Sequence, residues 1–588
     1  MLQKITKRKN LLMAAMLLYF CAFTNEAMGQ TWNIGHNSVS GGNYLSTVTA
    51  TLNGNTLTIK GSGNMADFWC TGTNQYDAGG EAPWYPNRAA IRSVIIENGV
   101  QNIGMRTFKD CTNLETITIA NTVTKINGQA FLNCSKLHTV TIANGNSTLE
   151  FSSYSSSDPC NNNAWNKNVS DWFDGCTSLT TLHLGRNYSG DFISNIRTRL
   201  SNLTIGNTVK EIGSNAFANC RGLVTITLQD GLDDLKVYYN GNSFTDCPIQ
   251  TLHLGRNIDN SLSIMAPTSP FQGKSELSSL TIGSNVKIII ANAFNGCTGL
   301  TSLTIPNNVT TIGSSAFKGC TELKSVTIGT GIKTIASSTF FGCSKLTSIT
   351  IPSTVTLIDE NAFANCRSLA TVTIQDGLDD LKVYYSGNSF TDCPIQTLHL
   401  GRNIDNSLSI MAPTSPFQGK SELSSLIIGS NVKTIIANAF NGCTGLTQIT
   451  SNPTTPPTIQ SNTFTGVGKS LPIKVPCNSL CDYKTKWSSA AFTNYQSIEN
   501  SCHSSCANSI DNVVANQLQI YPNPAKHELF IKSEIPIEKV EICSLAGTLL
   551  LSENNFAEKI TVSTLPHGIY LLKVYTDKGV AVSKIVKE

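Results

Sequence analysis

Between residues 99 and 454 the chain runs in short alternating bursts, and each burst is followed by a fixed sequence of apolar anchors. In Leu300-Thr-Ser-Leu303-Thr-Ile305 the alternation predicts a strand with Leu303 and Ile305 inward and Thr304 outward. Val309 and Ile312 supply a second inward pair, Ala316-Phe317 sets a ring behind a small residue, and Cys320 closes the unit as a small apolar side chain. The same pattern returns at 323–343 and 346–366, a period of 23 residues. Phe anchors recur at 108, 131, 173, 217, 244, 271, 294, 317, 340, 363, 390, 417, 440 and 464, mostly 23 or 27 apart, which predicts about 14 coils. Gaps of 42 and 44 follow Phe131, and each holds either a degenerate coil or an insertion. One such unit cannot bury both its faces, but stacked units can, so the expected architecture is mainly β: a solenoid of leucine-rich-repeat coils.

A longer repeat lies over the short one. Residues 216–301 recur almost verbatim at 362–447, an offset of 146 that equals six coils and preserves their register. Duplication in whole coils indicates that array length or repeated display matters.

The ends break the rhythm. Lys4, Lys7, Arg8 and Lys9 precede an apolar run from Leu11 to Phe23, and Ala27-Met28-Gly29 offers small residues for cleavage before Gln30. This pattern predicts a signal peptide over 1–29, because the run falls short of the roughly 20 residues that span a bilayer. From about 517 short strands crowd together: Leu529-Phe-Ile531, Val540-Glu-Ile542, Leu549-Leu-Leu551, Ile560-Thr-Val562, Ile569-Tyr-Leu-Leu572 and Val580-Ala-Val582. They predict a small C-terminal β-sandwich.

Charge changes the picture by what it excludes. Among 588 residues, 42 Lys plus Arg against 39 Asp plus Glu give +3, so no basic field exists for nucleic acid. Of 19 cysteines, Cys21 leaves with the signal peptide, and export places the other 18 in an oxidising compartment. Eleven of them (111, 134, 176, 220, 247, 297, 320, 343, 366, 393 and 443) fall at the closing position of a coil, where side chains in register point the same way and suit a disulfide poorly. They are expected to form a buried reduced ladder. Cys477, Cys481, Cys502 and Cys506 are disulfide candidates that would pin the exit of the array, with a zinc site as the alternative reading and the connectivity left open.

No catalytic set can be assembled. H-E-x-x-H and G-x-S-x-G are absent, and the Gly-Lys-Ser at 273–275 and 419–421 lacks the upstream glycine of a P-loop, holding Thr268 and Thr414 there instead. No enzyme activity, cofactor or metal is expected. Candidate contact residues come from the repeated motif Thr-Leu-His-Leu-Gly-Arg-Asn. His183, His253 and His399 take outward strand positions, too far apart to share a metal, and Arg186, Arg256 and Arg402 follow as surface partners. Tyr238-Tyr239 and Tyr384-Tyr385 stand beside paired aspartates and are candidate contacts for protein or glycan.

The array resembles the BspA-like leucine-rich-repeat surface proteins. Beyond the coils, the similarity includes Leu57-Thr-Ile59, Gly61, Gly63 and Met65, then Ala82-Pro83-Trp84, and Val475-Pro476, Tyr483 and Trp487 near the other end. The C-terminal block resembles the type A sorting domain of type IX secretion through Tyr521-Pro-Asn-Pro524, Leu545-Ala-Gly547 and Leu565-Pro-His-Gly568-Ile-Tyr570. These resemblances imply a solenoid used for adhesion or binding on the outer surface of a Gram-negative bacterium. They also imply a tail at 517–588 that engages the type IX machinery and is removed after transit. The expected organisation is signal peptide 1–29, N-terminal cap 30–98, solenoid 99–454, exit cap and linker 455–516, and sorting domain 517–588. The expected function is multivalent recognition of host or matrix proteins or glycans. The alternative is a structural surface-layer or spacer protein without a specific ligand.

Overall fold

A strand that alternates Thr with Ile or Leu needs a partner on each edge and a core behind one face, and the parallel stacking of coils supplies both. A computed structural model describes residues 29–35, 46–68, 80–152, 172–237, 243–259, 269–384, 389–405, 407, 415–499, 518–554, 556, 558–576 and 579–588. The predicted signal peptide lies almost wholly outside the described residues. The chain forms two compact units, one of residues 1–396 and 404–416, the other of 397–403 and 417–588.

The first unit opens with antiparallel strands, Gln30–Asn33 on Thr49–Asn53 on Thr56–Lys60. Thr56–Lys60 then pairs in parallel with Ser93–Ile96, Leu57 opposite Val94. From there each turn adds one strand in register: Thr116–Ile119, Thr139–Ile142, Thr181–Leu184, Asn202–Ile205, Thr225–Leu228 and onward. The predicted unit at 300–320 reads as expected, with Leu303, Ile305, Val309, Ile312, Ala316, Phe317 and Cys320 all buried and Thr304 exposed.

The solenoid has about 16 turns rather than 14. Counting Phe anchors misses two. The strand at 139–142 pairs directly with 181–184, so the first wide gap is an insertion within one turn. The strand at 181–184 pairs directly with 202–205, so the second gap hides a short degenerate turn in which Phe192 replaces the usual anchor. The other uncounted turn is the last, in the second unit, where Trp487 takes the anchor's place.

Behind the strands runs a phenylalanine stack. Phe217, Phe244, Phe271, Phe294, Phe317, Phe340, Phe363 and Phe390 follow one another at centroid separations of 5.3–6.3 Å, with planes within 19°. The turn that carries each ring repeats one backbone feature. The residue just before the closing Cys is left-handed, as at Gly296 (φ 76°), Gly319 (φ 70°), Asn219 (φ 62°) and Asp246 (φ 55°), a conformation that favours Gly, Asn and Asp. Trp84 closes the stack of the first unit against Phe108 at 6.1 Å.

Within the second unit the strands Thr397–Leu400, Ser425–Ile428, Gln448–Ser451, Pro472–Val475 and Asn494–Ser497 pair in parallel in the same way. A short helix, Leu480–Lys486, covers its end. Tyr483 bonds Ser451 at 2.9 Å and donates to the Pro453 carbonyl at 2.8 Å, and Trp487 Nε1 donates to the Pro457 carbonyl at 2.9 Å. Each of these large rings is buried with its polar atom satisfied, which is what a cap made of Tyr and Trp requires. The same unit carries two antiparallel sheets, one of Leu518–Tyr521, Glu528–Ser533 and Lys559–Thr561, the other of Leu549–Asn554, Ile537–Cys543, Gly568–Thr576 and Gly579–Lys587. Leu529, Ile531, Val540, Ile542, Ile560, Leu572 and Val574 form their common core.

Candidate functional site

The repeated Leu-Gly-Arg-Asn segment follows its strand where the chain leaves the sheet, and the structure gives each of its residues a structural task. Gly185 and Gly255 allow the closest approach. A Cβ on Gly185 would stand 2.3 Å from the Ile142 carbonyl oxygen, and one on Gly255 would stand 2.4 Å from that of Leu228. Asn187 Oδ1 accepts the Lys210 N–H at 2.8 Å, and Asn257 Oδ1 accepts the Lys287 N–H at 2.8 Å, so each Asn ties down the next turn.

The arginines are a correction. They were expected on the surface beside the histidines, but Arg186, Arg256 and Arg402 are 0–1% exposed. Arg256 Nη1 and Nη2 donate to the carbonyls of Asn207 and Gly206 at 3.0 and 2.9 Å. Arg186 donates likewise to Asn121 at 2.5 Å and Ala120 at 2.9 Å. In each case the side chain passes over the intervening turn at a glycine, Gly231 or Gly145, and reaches the turn before it. A long stem that buries its methylenes and spends its fork on the backbone carbonyls of an earlier turn is a stitch across three turns. Burial lowers the pKa of Arg186 and Arg256 to about 10.

The histidines do take the half-exposed strand positions, in register with Thr141 and Thr204 for His183 and with Thr227 and Thr281 for His253. His253 Nε2 lies 3.4 Å from Asp230 Oδ1. Partial burial lowers the pKa of His183. His399 takes the same strand position in the second unit, opposite Ile427. Tyr384 is half-buried, while Tyr238, Tyr239 and Tyr385 lie outside the described residues. Among the described residues no cluster of three metal-ligating side chains occurs.

Sequence reading missed the most exposed apolar residues of the array. Leu232 is 91% and Leu378 90% exposed, each between Asp-Gly and Asp-Asp in the two copies of the duplicated block. The available signal was a lone Leu among turn-forming residues, out of step with the strand alternation.

The cysteine ladder is as expected: all eleven closing cysteines are buried thiols. They also have a partner that spacing did not reveal. In nine of them the S–H points at the carbonyl of a Phe anchor one turn back, as in Cys134 to Phe108 at 3.0 Å, Cys297 to Phe271 at 3.3 Å, Cys366 to Phe340 at 3.2 Å and Cys443 to Phe417 at 3.2 Å. Burial pushes the thiols of Cys111, Cys297 and Cys343 up to about 12 and that of Cys443 to about 11. Near the exit, Cys477 is disulfide-bonded. Cys481 is a half-buried thiol on the covering helix, so the pair does not act alike. Cys502 and Cys506 lie outside the described residues.

Comparison with known proteins agrees with this geometry. The BspA type leucine rich repeat region matches in six copies over residues 84–190, 194–265, 265–396 and 411–544. The secretion system C-terminal sorting domain matches over 519–588. No curated protein matches the chain. Among solved structures, a leucine-rich repeat protein from Bacteroides ovatus is 20% identical, with 78% of this chain and 100% of that one covered at a TM-score of 0.26. One from Eubacterium ventriosum is 19% identical, with 75% and 95% covered at 0.24. A leucine rich cell surface protein from Faecalibacterium prausnitzii is 22% identical, with 63% and 97% covered at 0.24. Solenoids of this type are typically non-catalytic, and no helix among the described residues is long and apolar enough to cross a membrane. With its repeats matched over most of the length and a type IX tail behind them, the chain belongs to the BspA-type leucine-rich-repeat family and is a secreted or cell-surface protein.

Proposed function

We propose that the protein is an adhesion or binding protein of the outer cell surface whose solenoid recognises host or matrix proteins or glycans at several equivalent places. The observation that carries this reading is the duplicated display. Two copies of one block hold Leu232 and Leu378 almost fully exposed, each followed by paired aspartates. Six turns at the ~4.8 Å strand spacing separate them, roughly 29 Å. Weak contacts repeated on a rigid spacing gain avidity without any new chemistry. After transit the tail at 517–588 would be removed and the array held at the cell surface.

The test deletes residues 217–362, which removes one repeat of 146 residues and joins the coils in register. Binding of the full-length and shortened chains to immobilised matrix proteins, mucins and whole cells is then compared. The shortened chain should fold and bind at least ~10-fold more weakly, a conservative threshold below the roughly 10²–10⁴-fold gains of linked sites. Unchanged binding would assign recognition to a single place. A folded full-length chain that binds nothing in the panel would favour the spacer reading.

A further inference from the structure

The short degenerate turn breaks the stack, and the break opens a cleft. Its volume is about 410 Å³, and its walls include Tyr188, Asp191, Arg197, Glu211, Gly213 and Asn215. That size falls within the roughly 300–1,000 Å³ of small-ligand sites. The cleft lies at the start of the duplicated block and has no second copy at the offset of 146, so display by duplication does not account for it.

Its walls are fixed. Tyr188 stands edge-on to Phe192 at 5.0 Å and 80°. Asp191 Oδ1 accepts the Ser194 N–H at 3.3 Å. Asn187 Oδ1 holds the backbone at Lys210 and Glu211. Against these, Arg197 stands out. Arg186 and Arg256 spend their terminal nitrogens on backbone carbonyls. Arg197 makes no hydrogen bond or ion pair among the described residues; its Nε, like those of Arg186 and Arg256, is out of contact with solvent without an acceptor, and unlike theirs its terminal nitrogens hold no carbonyl. A half-buried guanidinium of this kind is a donor fork waiting for a carboxylate.

Two carboxylates in the same walls narrow the ligand. A bare anion would meet Asp191 and Glu211 as well as Arg197, and the like charges would oppose it. A neutral sugar would satisfy the carboxylates with its hydroxyls and leave Arg197 unused. We infer that the cleft binds a sugar acid, with the ligand carboxylate on Arg197 and its hydroxyls donating to Asp191 and Glu211. The inference does not depend on multivalent binding along the repeats, because the site is single and lies outside the displayed leucines.

The experiment titrates the full chain with glucuronic acid and N-acetylneuraminic acid by calorimetry and ligand-observed NMR, with glucose and acetate as comparators. At least one acid should bind saturably and at least tenfold more tightly than glucose or acetate. Arg197→Gln should bring that acid down to the level of glucose. Gly213→Phe should abolish binding by filling the cleft, since a Cβ at Gly213 meets nothing within 4 Å. Circular dichroism of both variants checks that they are folded. Saturable binding of neither acid, equal binding of glucose and acetate, or binding untouched in the two folded variants would each overturn the assignment.

Discussion

At the residue scale the sequence tells least where a side chain can serve either solvent or the backbone. Arg256 follows an outward His and precedes an Asn, so local pattern places it on the surface. Its burial depends on carbonyls of Gly206 and Asn207, about 50 residues earlier, whose need for donors is not written in either local pattern. The consequence is measurable. Arg256→Met keeps the stem and removes the fork, which leaves the Asn207 carbonyl without its donor, while Gly206 keeps the Val209 N–H at 3.1 Å, at a cost of roughly 1–3 kcal/mol in all. The urea midpoint should fall, and amide exchange should quicken first around residues 206–209. Arg256→Lys should recover only part, because an ammonium cannot reach both carbonyls with fixed fork geometry. His183 carries the opposite lesson: its half-exposed place was legible from strand alternation, and its titration follows from that place. Burial holds its folded pKa below the unfolded value of roughly 6.5. As pH falls through that value the unfolded chain binds the proton first, so stability declines and levels off once the folded His also titrates. His183→Gln should therefore lose less stability than the parent between pH 7.5 and 5.5 in parallel urea titrations. An equal loss in both would remove His183 from the account.

At the scale of the element, the 23-residue period was fully legible, because Phe317, Cys320 and their counterparts repeat as residue types and sit at repeated depth. What periodicity could not resolve was a turn that keeps its strand and loses its anchor motif. Asn202–Ile205 is found by pairing with Thr181–Leu184, while the closing Cys position of that turn, three residues before Leu200, holds Arg197. The missing motif is also what opens the cleft beside Arg197, so the place hardest to read is the one with the most individual chemistry. The ladder itself makes a prediction about reactivity. Alkylation requires the thiolate, and burial puts Cys111, Cys297 and Cys343 near 12. At pH 8 the native chain should leave these sites unlabelled by iodoacetamide over hours, and peptide mapping should find them labelled together only as urea opens the array. Rapid labelling of any one of them under native conditions would show that its turn opens locally.

At the scale of the whole molecule, the division between repeat array and tail was legible because two different physical periods meet. The array repeats in parallel coils of 23 to 27 residues, whereas the tail repeats in antiparallel strands that close on their own core. Leu529, Val540, Ile542, Ile560, Leu572, Val574 and Ile585 bury one another, and every member of that cluster lies between residues 518 and 588. The exit of the array is closed by different residues, with Tyr483 and Trp487 satisfied by Ser451, Pro453 and Pro457. Removing the tail therefore takes away one complete core and leaves the cap over the last coils intact. A chain ending at residue 516 should fold, retain its thiol protection and still bind whatever the solenoid binds in solution. It should fail in delivery, because the matched sorting domain is gone. In a host with type IX secretion, external protease should digest the full-length protein on intact cells and spare the truncated one, which should accumulate inside the outer membrane. Surface exposure of the truncated chain would mean that export does not depend on these strands, and loss of thiol protection would mean that the tail supports the array after all.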